Sequence, residues 1–299
     1  GMVAGGTFGD DPVIAVSSAI PYIMGANIGT SITNTIVSVG HIGDKIEFKR
    51  AFSASIIHDF FNILSVSILF PLELLFGLIS KSGIWLSSAL IGSAEISFNS
   101  PIKAVTKPIV KMIQELLDKQ QIIDPSFLLL LMAISFLLFS LRNLTKLIKS
   151  LVMLRLESFF DTHIFKTTIR AMLFGVIITF MVQSSSITTS LVVPLAGAGI
   201  LKLRQIFPYT LGANIGTTMT SILASLATGT VQSLSVAFGH LLFNVFGIAL
   251  IWPIPQLREI PITFSLKFAE LATKNKIYPF LYIVIVFFII PLLLITIVR

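Results

Sequence analysis

The chain has 299 residues, of which 55% are hydrophobic and only 12% are charged, and its mean hydropathy is +0.94. Because a soluble domain carries roughly 25% charged residues, this composition excludes an ordinary soluble domain and is typical of a polytopic membrane protein with room for about eight segments of ~20 residues. The net charge is +7, but no run of basic residues is interleaved with aromatic residues, which argues against a nucleic-acid partner. The chain has no cysteine, which excludes disulfides and thiolate metal sites.

Uncharged or nearly uncharged stretches mark the segments that can lie in a membrane. Two of them, 127–141 and 279–298, are predicted as spanning helices because they are apolar and free of charge. The others are 13–40, 51–79, 168–201, 206–228 and 231–253.

The basic segment 142–167 orients its neighbours. It carries five Lys and Arg residues against two acids, so the positive-inside rule predicts that it is a cytoplasmic loop. Helix 127–141 then runs from outside to inside, which makes the polar segment 80–126 extracellular. Helix 51–79 is predicted to run from inside to outside.

Two of the apolar stretches do not resemble ordinary spans. Segments 13–40 and 206–228 are interrupted by Pro, Gly and Asn and are rich in Thr and Ser. Backbone that leaves helical geometry inside a membrane is tolerated only where it is buried in protein or lines a cavity. Both segments are therefore predicted to be re-entrant hairpins or broken helices.

An internal repeat relates the two halves of the chain. Residues 21–38 (PYIMGANIGTSITNTIVS) align without gaps with 208–225 (PYTLGANIGTTMTSILAS), and ten of the eighteen positions are identical. The segment HDFFN at 58–62 matches HLLFN at 240–244. Repeated halves that are each interrupted by Gly or Pro are typical of secondary transporters, whose sites lie at the repeat interface.

The orientations of the repeated helices favour inverted repeats. If 51–79 runs from inside to outside, its counterpart 236–256 should run the other way, which places the mildly basic segment 257–278 in the cytoplasm. The sequence thus predicts an all-α polytopic membrane protein of two inverted repeats, each with a re-entrant or broken helical hairpin followed by spanning helices. The predicted organisation is a first repeat at 1–79 that is incomplete at its N-terminus, an extracellular loop at 80–126, a linking helix and cytoplasmic loop at 127–167, a second repeat at 168–256, and a cytoplasmic loop and C-terminal transmembrane helix at 257–299.

The second half contains QSSSITTS at 183–190, which has no counterpart in the first half. Aligning MVAGG near the N-terminus with PLAGAG at 194–199 would place such a counterpart about ten residues before Gly1. The chain is therefore expected to lack the start of its first hairpin.

Oxygen-bearing side chains are concentrated in three clusters. Hydroxyl and amide oxygens, with few carboxylates, favour a weakly held monovalent cation such as Na⁺ over Ca²⁺ or a transition metal. The same hydroxyls and a helix N-terminus can also hold an anion. Because the clusters contain no Lys or Arg, the charge of that anion would need to be balanced by cations bound beside it. Binding of the anion and binding of the cation would therefore be coupled. The clusters are Asn27, Thr30, Ser31, Thr33 and Asn34; Gln183, Ser184, Ser185, Ser186, Thr188, Thr189 and Ser190; and Asn214, Thr217, Thr218, Thr220 and Ser221.

Structural roles are the alternative for each of these residues. Any single Ser or Thr can serve close helix packing or bond to its own helix backbone. His58 and His240 each lie four residues before an Asn and are interpreted as structural hydrogen-bonded pairs. Asp59 is an acid in an apolar helix, with Leu241 at the matching position, and is either functional or a water-exposed residue near a helix start.

The paired motifs resemble those of the type II sodium/phosphate cotransporters. That family has inverted repeats, each with QSSS in a re-entrant hairpin followed by G-[AS]-N-I-G-T-[ST]-x-T, and this chain has GANIGTSITNT, QSSSITTS and GANIGTTMT. The resemblance implies Na⁺-coupled uptake of inorganic phosphate. It further implies phosphate and sodium sites at Gln183, Ser184, Ser185 and Ser186, sodium ligands at Thr217 and Thr220, first-half counterparts at Thr30, Thr33 and Asn34, and an extra sodium at Asp59.

The predicted function is therefore sodium-coupled symport of inorganic phosphate by alternating access, in a multi-pass protein of the plasma (inner) membrane. No cofactor is expected beyond Na⁺ as the coupling ion, and the expected partners are phosphate, Na⁺ and the lipid bilayer. The alternatives are a Na⁺-coupled carrier of another small oxyanion or carboxylate, an intramembrane serine hydrolase and a channel.

Overall fold

The computed structural model describes residues 12–92, 164–228, 230–275 and 277–289, together with isolated positions between 108 and 135. These residues are helical, without a strand, and the prediction of an all-α membrane protein is confirmed. The predicted span 127–141, most of the extracellular segment 80–126 and residues 142–163 of the predicted cytoplasmic loop lie outside the continuously described residues. The helices are α1 (Pro12–Gly29), α2 (Ile32–Val39), α3 (Lys45–Phe76), α4 (Leu78–Gly92), α5 (Thr168–Val182), α6 (Ser185–Gly197), α7 (Leu203–Thr228), α8 (Val231–Ile251), α9 (Pro255–Lys274), α10 (Ile277–Val284) and a π-helix (Ile285–Ile289).

Helix lengths separate spans from shorter elements. Among the described residues, the single helices Lys45–Phe76 and Val231–Ile251 are long and apolar enough to cross a membrane. So is Val13–Val39, which comprises α1, a two-residue turn and α2. Helices α5 and α6 have 15 and 13 residues. At about 1.5 Å per residue each is shorter than the ~30 Å hydrocarbon core, as a re-entrant hairpin requires.

The two copies of the GANIGT motif differ in backbone. In the first copy α1 ends at Gly29 and α2 begins at Ile32, so the predicted interruption of 13–40 is confirmed. In the second copy α7 continues through 206–228 without a break, and the predicted interruption there is wrong. Glycine costs an isolated helix only about 1 kcal/mol, so packing decides whether a helix continues through the motif.

Packing explains the continuous second copy. A Cβ on Gly212 would lie 1.9 Å from the Met172 carbonyl oxygen of α5, and one on Gly216 would lie 2.6 Å from the Cβ of Thr179. The glycines of α7 therefore bring two helices together, as small residues do at membrane helix interfaces, and do not form a turn.

Each half of the chain packs one helix against the long helix of the other half. Helix α4 of the first half packs along α8 of the second, while α9 of the second half packs along α3 of the first. Helix α9 occupies most of 257–278, and residues 80–92 belong to α4, so both predicted loops contain helix. Their sides of the membrane stay predictions.

The turn between α3 and α4 is held by a buried acid. Gly77 adopts φ 62° and ψ 38° at the end of α3, and the Glu73 carboxylate accepts the N–H of Ile79 at 2.6 Å and that of Ser80 at 3.3 Å. Glu73 thereby satisfies the first turn of α4, whose N–H groups have no partner within the helix.

We expect Glu73→Ala to destabilise the protein by about 1–2 kcal/mol, because two buried N–H groups lose their acceptor. The change would appear as a lower midpoint of thermal unfolding in detergent. Glu270→Ala is the matched control, since Glu270 pairs with Lys49 on the surface and its loss should matter little. Equal shifts in the two variants would contradict this role of Glu73.

Candidate functional site

The site is built around the break between α5 and α6. Gln183 ends α5 in the left-handed region, at φ 55° and ψ 28°, and its N–H donates to the Thr179 carbonyl at 2.7 Å. A residue other than glycine costs about 1–2 kcal/mol in this conformation. Ser184 then caps α6, and its hydroxyl accepts the Ile187 N–H at 3.3 Å. The break therefore presents the N-terminus of α6, with Ser185 buried in its first turn.

The remaining hydroxyls of QSSSITTS have two different roles. Thr188 donates to the Ser184 carbonyl at 2.9 Å and Ser190 to the Ile187 carbonyl at 2.8 Å, so these two bond to their own helix. Ser186 and Thr189 contact the first half of the chain. Thr189 also donates to the Ser185 carbonyl at 2.7 Å, so this residue combines a bond to its own helix with a contact to the other half.

Helix α6 meets the break between α1 and α2. The Ser186 hydroxyl donates to the Thr30 carbonyl at 2.7 Å, and Asn34 Nδ2 donates to the Thr189 hydroxyl at 2.7 Å. Asn34 and Thr189 are each at most 1% exposed. The QSSS segment of one half and the GANIGT segment of the other therefore lie against each other.

Buried asparagines extend this contact through the protein. The Asn214 amide donates to Asn62 Oδ1 at 3.0 Å, and Asn62 in turn donates to the Asn27 carbonyl at 2.7 Å. The same carbonyl accepts the Thr30 hydroxyl at 2.9 Å. A continuous hydrogen-bonded path therefore runs from α7 through α3 and α1 to the start of α6.

His58 and His240 each contact the GANIGT asparagine of the opposite half. His58 Nε2 contacts Asn214 Oδ1, and His240 Nε2 lies 3.4 Å from Asn27 Oδ1. The alignment of the repeat matches His58 with His240 and Asn214 with Asn27, so the two contacts are equivalent. We call the whole set the polar seam, which consists of Asn27, Thr30, Asn34, His58, Asn62, Ser186, Thr189, Asn214 and His240.

The His–Asn pairs fit the sequence interpretation only in part. Asn62 Nδ2 lies 3.2 Å from His58 Nε2, so the two side chains are neighbours on one helical face as predicted. When Nε2 donates to Asn214 Oδ1 it cannot also accept a hydrogen bond from Asn62. In the second half Asn244 donates to the His240 carbonyl at 3.0 Å and not to its ring. The role of both histidines between the halves was not predicted.

Other predicted ligands lie outside the polar seam. Thr217 donates to the Ala213 carbonyl at 3.1 Å and Thr218 to the Ile215 carbonyl at 2.6 Å, whereas the buried Thr220 hydroxyl has no hydrogen-bond partner among the described residues. In the first half Ser31 donates to the Ile28 carbonyl at 3.1 Å, and Thr33 is exposed. Gln183 is also exposed.

Asp59 is fully buried, so its interpretation as a water-exposed residue is wrong. Tyr282 of α10 donates its hydroxyl to Asp59 Oδ2 at 2.5 Å, and Ser31 lies beside the same carboxyl group. Asp59 Oδ1 has no hydrogen-bond partner among the described residues, and no ion pair there includes Asp59. A carboxylate buried in this way is costly until a cation or a proton joins it.

Clusters of metal-binding side chains are not found among the described residues, where no three of His, Asp and Glu lie together. Tyr209 is a further residue that the motifs did not indicate, and its hydroxyl donates to the Thr188 carbonyl at 2.9 Å. It joins α7 to the QSSS helix.

A model of the family described as Na⁺/Pi-cotransporter matches residues 136–289, more than half of the chain. The chain belongs to the Na⁺/Pi-cotransporter family. The match covers the QSSS break, the second GANIGT motif and Tyr282, and the resemblance in the motifs is confirmed.

Relatives agree with the family. The chain is 31% identical to sodium-dependent phosphate transport protein 2B of Pongo abelii, over 94% of this chain and 53% of the relative, with the same values for the protein of that name from Homo sapiens. It is 32% identical to sodium-dependent phosphate transport protein 2A of Rattus norvegicus, over 93% of this chain and 55% of the relative. The chain thus spans about half the length of the curated relatives it matches. No solved structure matches it significantly.

Proposed function

We propose that the protein is a symporter that couples the inward movement of inorganic phosphate to Na⁺ by alternating access. The observation that carries the proposal is the polar seam, which joins the QSSS break of one half to the GANIGT segment of the other. The relatives whose names specify sodium-dependent phosphate transport support the choice of ions. A transporter role replaces the hydrolase alternative, since the chain belongs to a family of cotransporters.

The start of α6 is the proposed phosphate site. The helix dipole and the first-turn N–H groups other than that of Ile187, which Ser184 caps, favour an anion, and Gln183 and Ser185 adjoin them as further donors. The polar seam contains no Lys or Arg, so Na⁺ ions must balance the charge of the phosphate in a low-dielectric site. Binding of either ion then favours binding of the other, which is the basis of coupling.

Threonines bonded to their own helix remain suitable sodium ligands. A hydroxyl that donates its proton to a helix carbonyl keeps its oxygen lone pairs, and these can bind a cation. Thr217 and Thr30 have this geometry, and the partnerless Thr220 hydroxyl adds a third oxygen. We assign these residues to sodium, as the family resemblance implies.

Asp59 is the proposed site of a further sodium ion. We expect Asp59→Asn to raise the Na⁺ concentration for half-maximal phosphate uptake at least about tenfold, because a buried charge–charge attraction is lost. Tyr282→Phe should lower that concentration, because the carboxylate then loses the hydroxyl donor from α10 and depends more on the cation. Sodium titration of uptake by the complete protein measures both changes.

Tyr278→Phe is the matched control for the sodium titration. It removes a hydroxyl from the same helix, α10, without changing the contact between Tyr282 and Asp59. Shifts in the same direction for Asp59→Asn and Tyr282→Phe would contradict the assignment of Asp59.

A second hairpin of the α5–α6 type is proposed to pack on α1. Gly25 and Gly29 match Gly212 and Gly216, yet a Cβ on either would meet nothing within 4 Å among the described residues. Tyr22 is 66% exposed, whereas its counterpart Tyr209 is 1% exposed against the QSSS hairpin. The open face of α1, which carries Gly25 and Gly29, thus matches the face that α7 presents to α5, and we propose that a hairpin packs against it.

Inverted topology is part of the same proposal. The exchange of α4 and α9 between the halves, and of the two His–Asn contacts, is the pattern expected of repeats related by a pseudo-twofold axis. We propose with it a multi-pass arrangement in the plasma (inner) membrane, with 142–167 in the cytoplasm as the positive-inside rule predicts. Labelling of single cysteines introduced at 47 and 270, from one side of the membrane only, tests it: both must be reached from the cytoplasm.

A further inference from the structure

A cavity of about 410 Å³ lies between the N-terminal end of α3 and the side of α9. Lys45, Lys49 and Arg50 line it together with the apolar side chains of Ile46 and Leu266. No residue of the polar seam lines it, so it is a different site from the one proposed for transport.

The charges of this cavity are one-sided. Three cations face it and no acid lines it. Lys49 pairs with Glu270 at 3.1 Å, but Lys45 and Arg50 have no carboxylate within 4.0 Å among the described residues. The cavity is therefore electropositive, and two of its three cations have no salt-bridge partner among the described residues.

Nearby acids are directed elsewhere. The Asp44 carboxylate accepts the N–H groups of Ile46 and Glu47 at 2.7 and 2.9 Å, and these hydrogen bonds hold the pKa of Asp44 below its usual value. Glu47 lies 3.2 Å from the His41 ring. Because Asp44 already caps α3, an anion in the cavity must be held by the Lys and Arg side chains and not by the helix N-terminus.

Apolar surface adjoins the cations. Ile46 is 65% exposed and Leu266 is 41% exposed. Phosphate oxygens suit paired Lys and Arg donors, and exposed aliphatic side chains beside them suit the glycerol and acyl part of a lipid. The end of α3 that carries these residues is also the end predicted to face the cytoplasm, where anionic lipids are concentrated.

We propose that this cavity binds a phosphate-bearing anion, supplied either by the headgroup of an anionic phospholipid or by free inorganic phosphate. The two sources share the recognition of phosphate oxygens by Lys45 and Arg50. They differ in their use of Ile46 and Leu266, which only a lipid needs.

Binding to the purified protein in detergent tests the proposal in two arms. In the first arm, native mass spectrometry counts phosphatidylserine retained per chain against phosphatidylcholine; in the second, equilibrium dialysis measures radiolabelled inorganic phosphate. Lys45→Gln with Arg50→Gln is expected to weaken binding in at least one arm by about tenfold or more, at roughly a severalfold loss per basic residue.

Matched controls separate a built site from general positive charge. Arg170→Gln with Lys267→Gln removes the same charge from exposed positions outside the cavity and should leave binding unchanged. Arg50→Lys keeps the positive charge and should keep most of the binding. If the double variant does not fold, Lys45→Gln alone replaces it in the test, because Lys45 is exposed. Loss in the lipid arm only or in the phosphate arm only identifies the source. Equal losses in the two double variants, or no loss in either arm, would overturn the proposal.

Discussion

Replacement of Gly212 by alanine is expected to force α5 and α7 apart. The added Cβ would lie 1.9 Å from the carbonyl oxygen of Met172, and a backbone atom of a packed helix cannot rotate away from it. Overpacking of this kind costs about 1–3 kcal/mol and occasionally more, and a contact this short belongs at the upper end. The midpoint of thermal unfolding in detergent should fall markedly.

Gly25→Ala is the control that the repeat itself supplies. Gly25 occupies the matching position in the first copy of the motif, but a Cβ there meets nothing within 4 Å among the described residues. Alanine is also the better helix former by about 1 kcal/mol, so the unfolding midpoint of this chain should stay the same or rise. Equal destabilisation by the two changes would contradict the account of the open face of α1.

Asn214→Ala is expected to have the second large effect. The change leaves two buried groups without a partner, since His58 Nε2 loses its acceptor and Asn62 Oδ1 loses its donor. At about 1–3 kcal/mol for each of the two unsatisfied groups, the protein should lose about 2–6 kcal/mol of stability. We further expect phosphate uptake by the complete protein to be abolished, because the polar seam is cut between α7 and α3.

Asn27→Ala provides the comparison, since Asn27 and Asn214 hold the same place in the repeat. The side chain of Asn27 makes the longer contact, 3.4 Å to His240, while the Asn27 carbonyl that accepts from Asn62 belongs to the backbone and survives the change. The loss of stability should therefore be clearly smaller than for Asn214→Ala. Equal losses would show that the seam does not depend on the side chain of Asn214 as described.

The repeat is the part of the fold that could be predicted from the sequence. Identity between 21–38 and 208–225 predicted that the two halves share one element, and apolar stretches without charge predicted its helices. Glycine in GANIGT was harder to interpret, because it permits both a turn and close helix packing. The first copy interrupts the helix and the second does not, and only the neighbouring α5 distinguishes them.

Hydroxyl direction could not be predicted from composition. Ser186 and Ser190 are both serines of one helix, yet the first reaches the Thr30 carbonyl in the other half and the second bonds to its own helix. A rotamer decides between these outcomes, and that rotamer depends on what packs opposite. The contact between Asp59 and Tyr282 joins residues 223 positions apart, and no local pattern marks it.

The histidines show a different limit. Their spacing from the following asparagines indicated a pair on one helical face, and that was correct for His58 and Asn62. The partner in the opposite half became apparent only once α3 lay against α7. A repeat in sequence thus predicts which residues are equivalent, while contacts between the halves require the fold.

Uptake of radiolabelled phosphate by proteoliposomes that contain the complete protein tests the central claim most directly. An inward Na⁺ gradient is compared with an equal K⁺ gradient, and Asn214→Ala serves as the inactive reference. The polar seam, with no Lys or Arg to balance an anion, predicts saturable uptake that requires the Na⁺ gradient. Uptake that proceeds equally with K⁺ would contradict sodium-coupled phosphate symport.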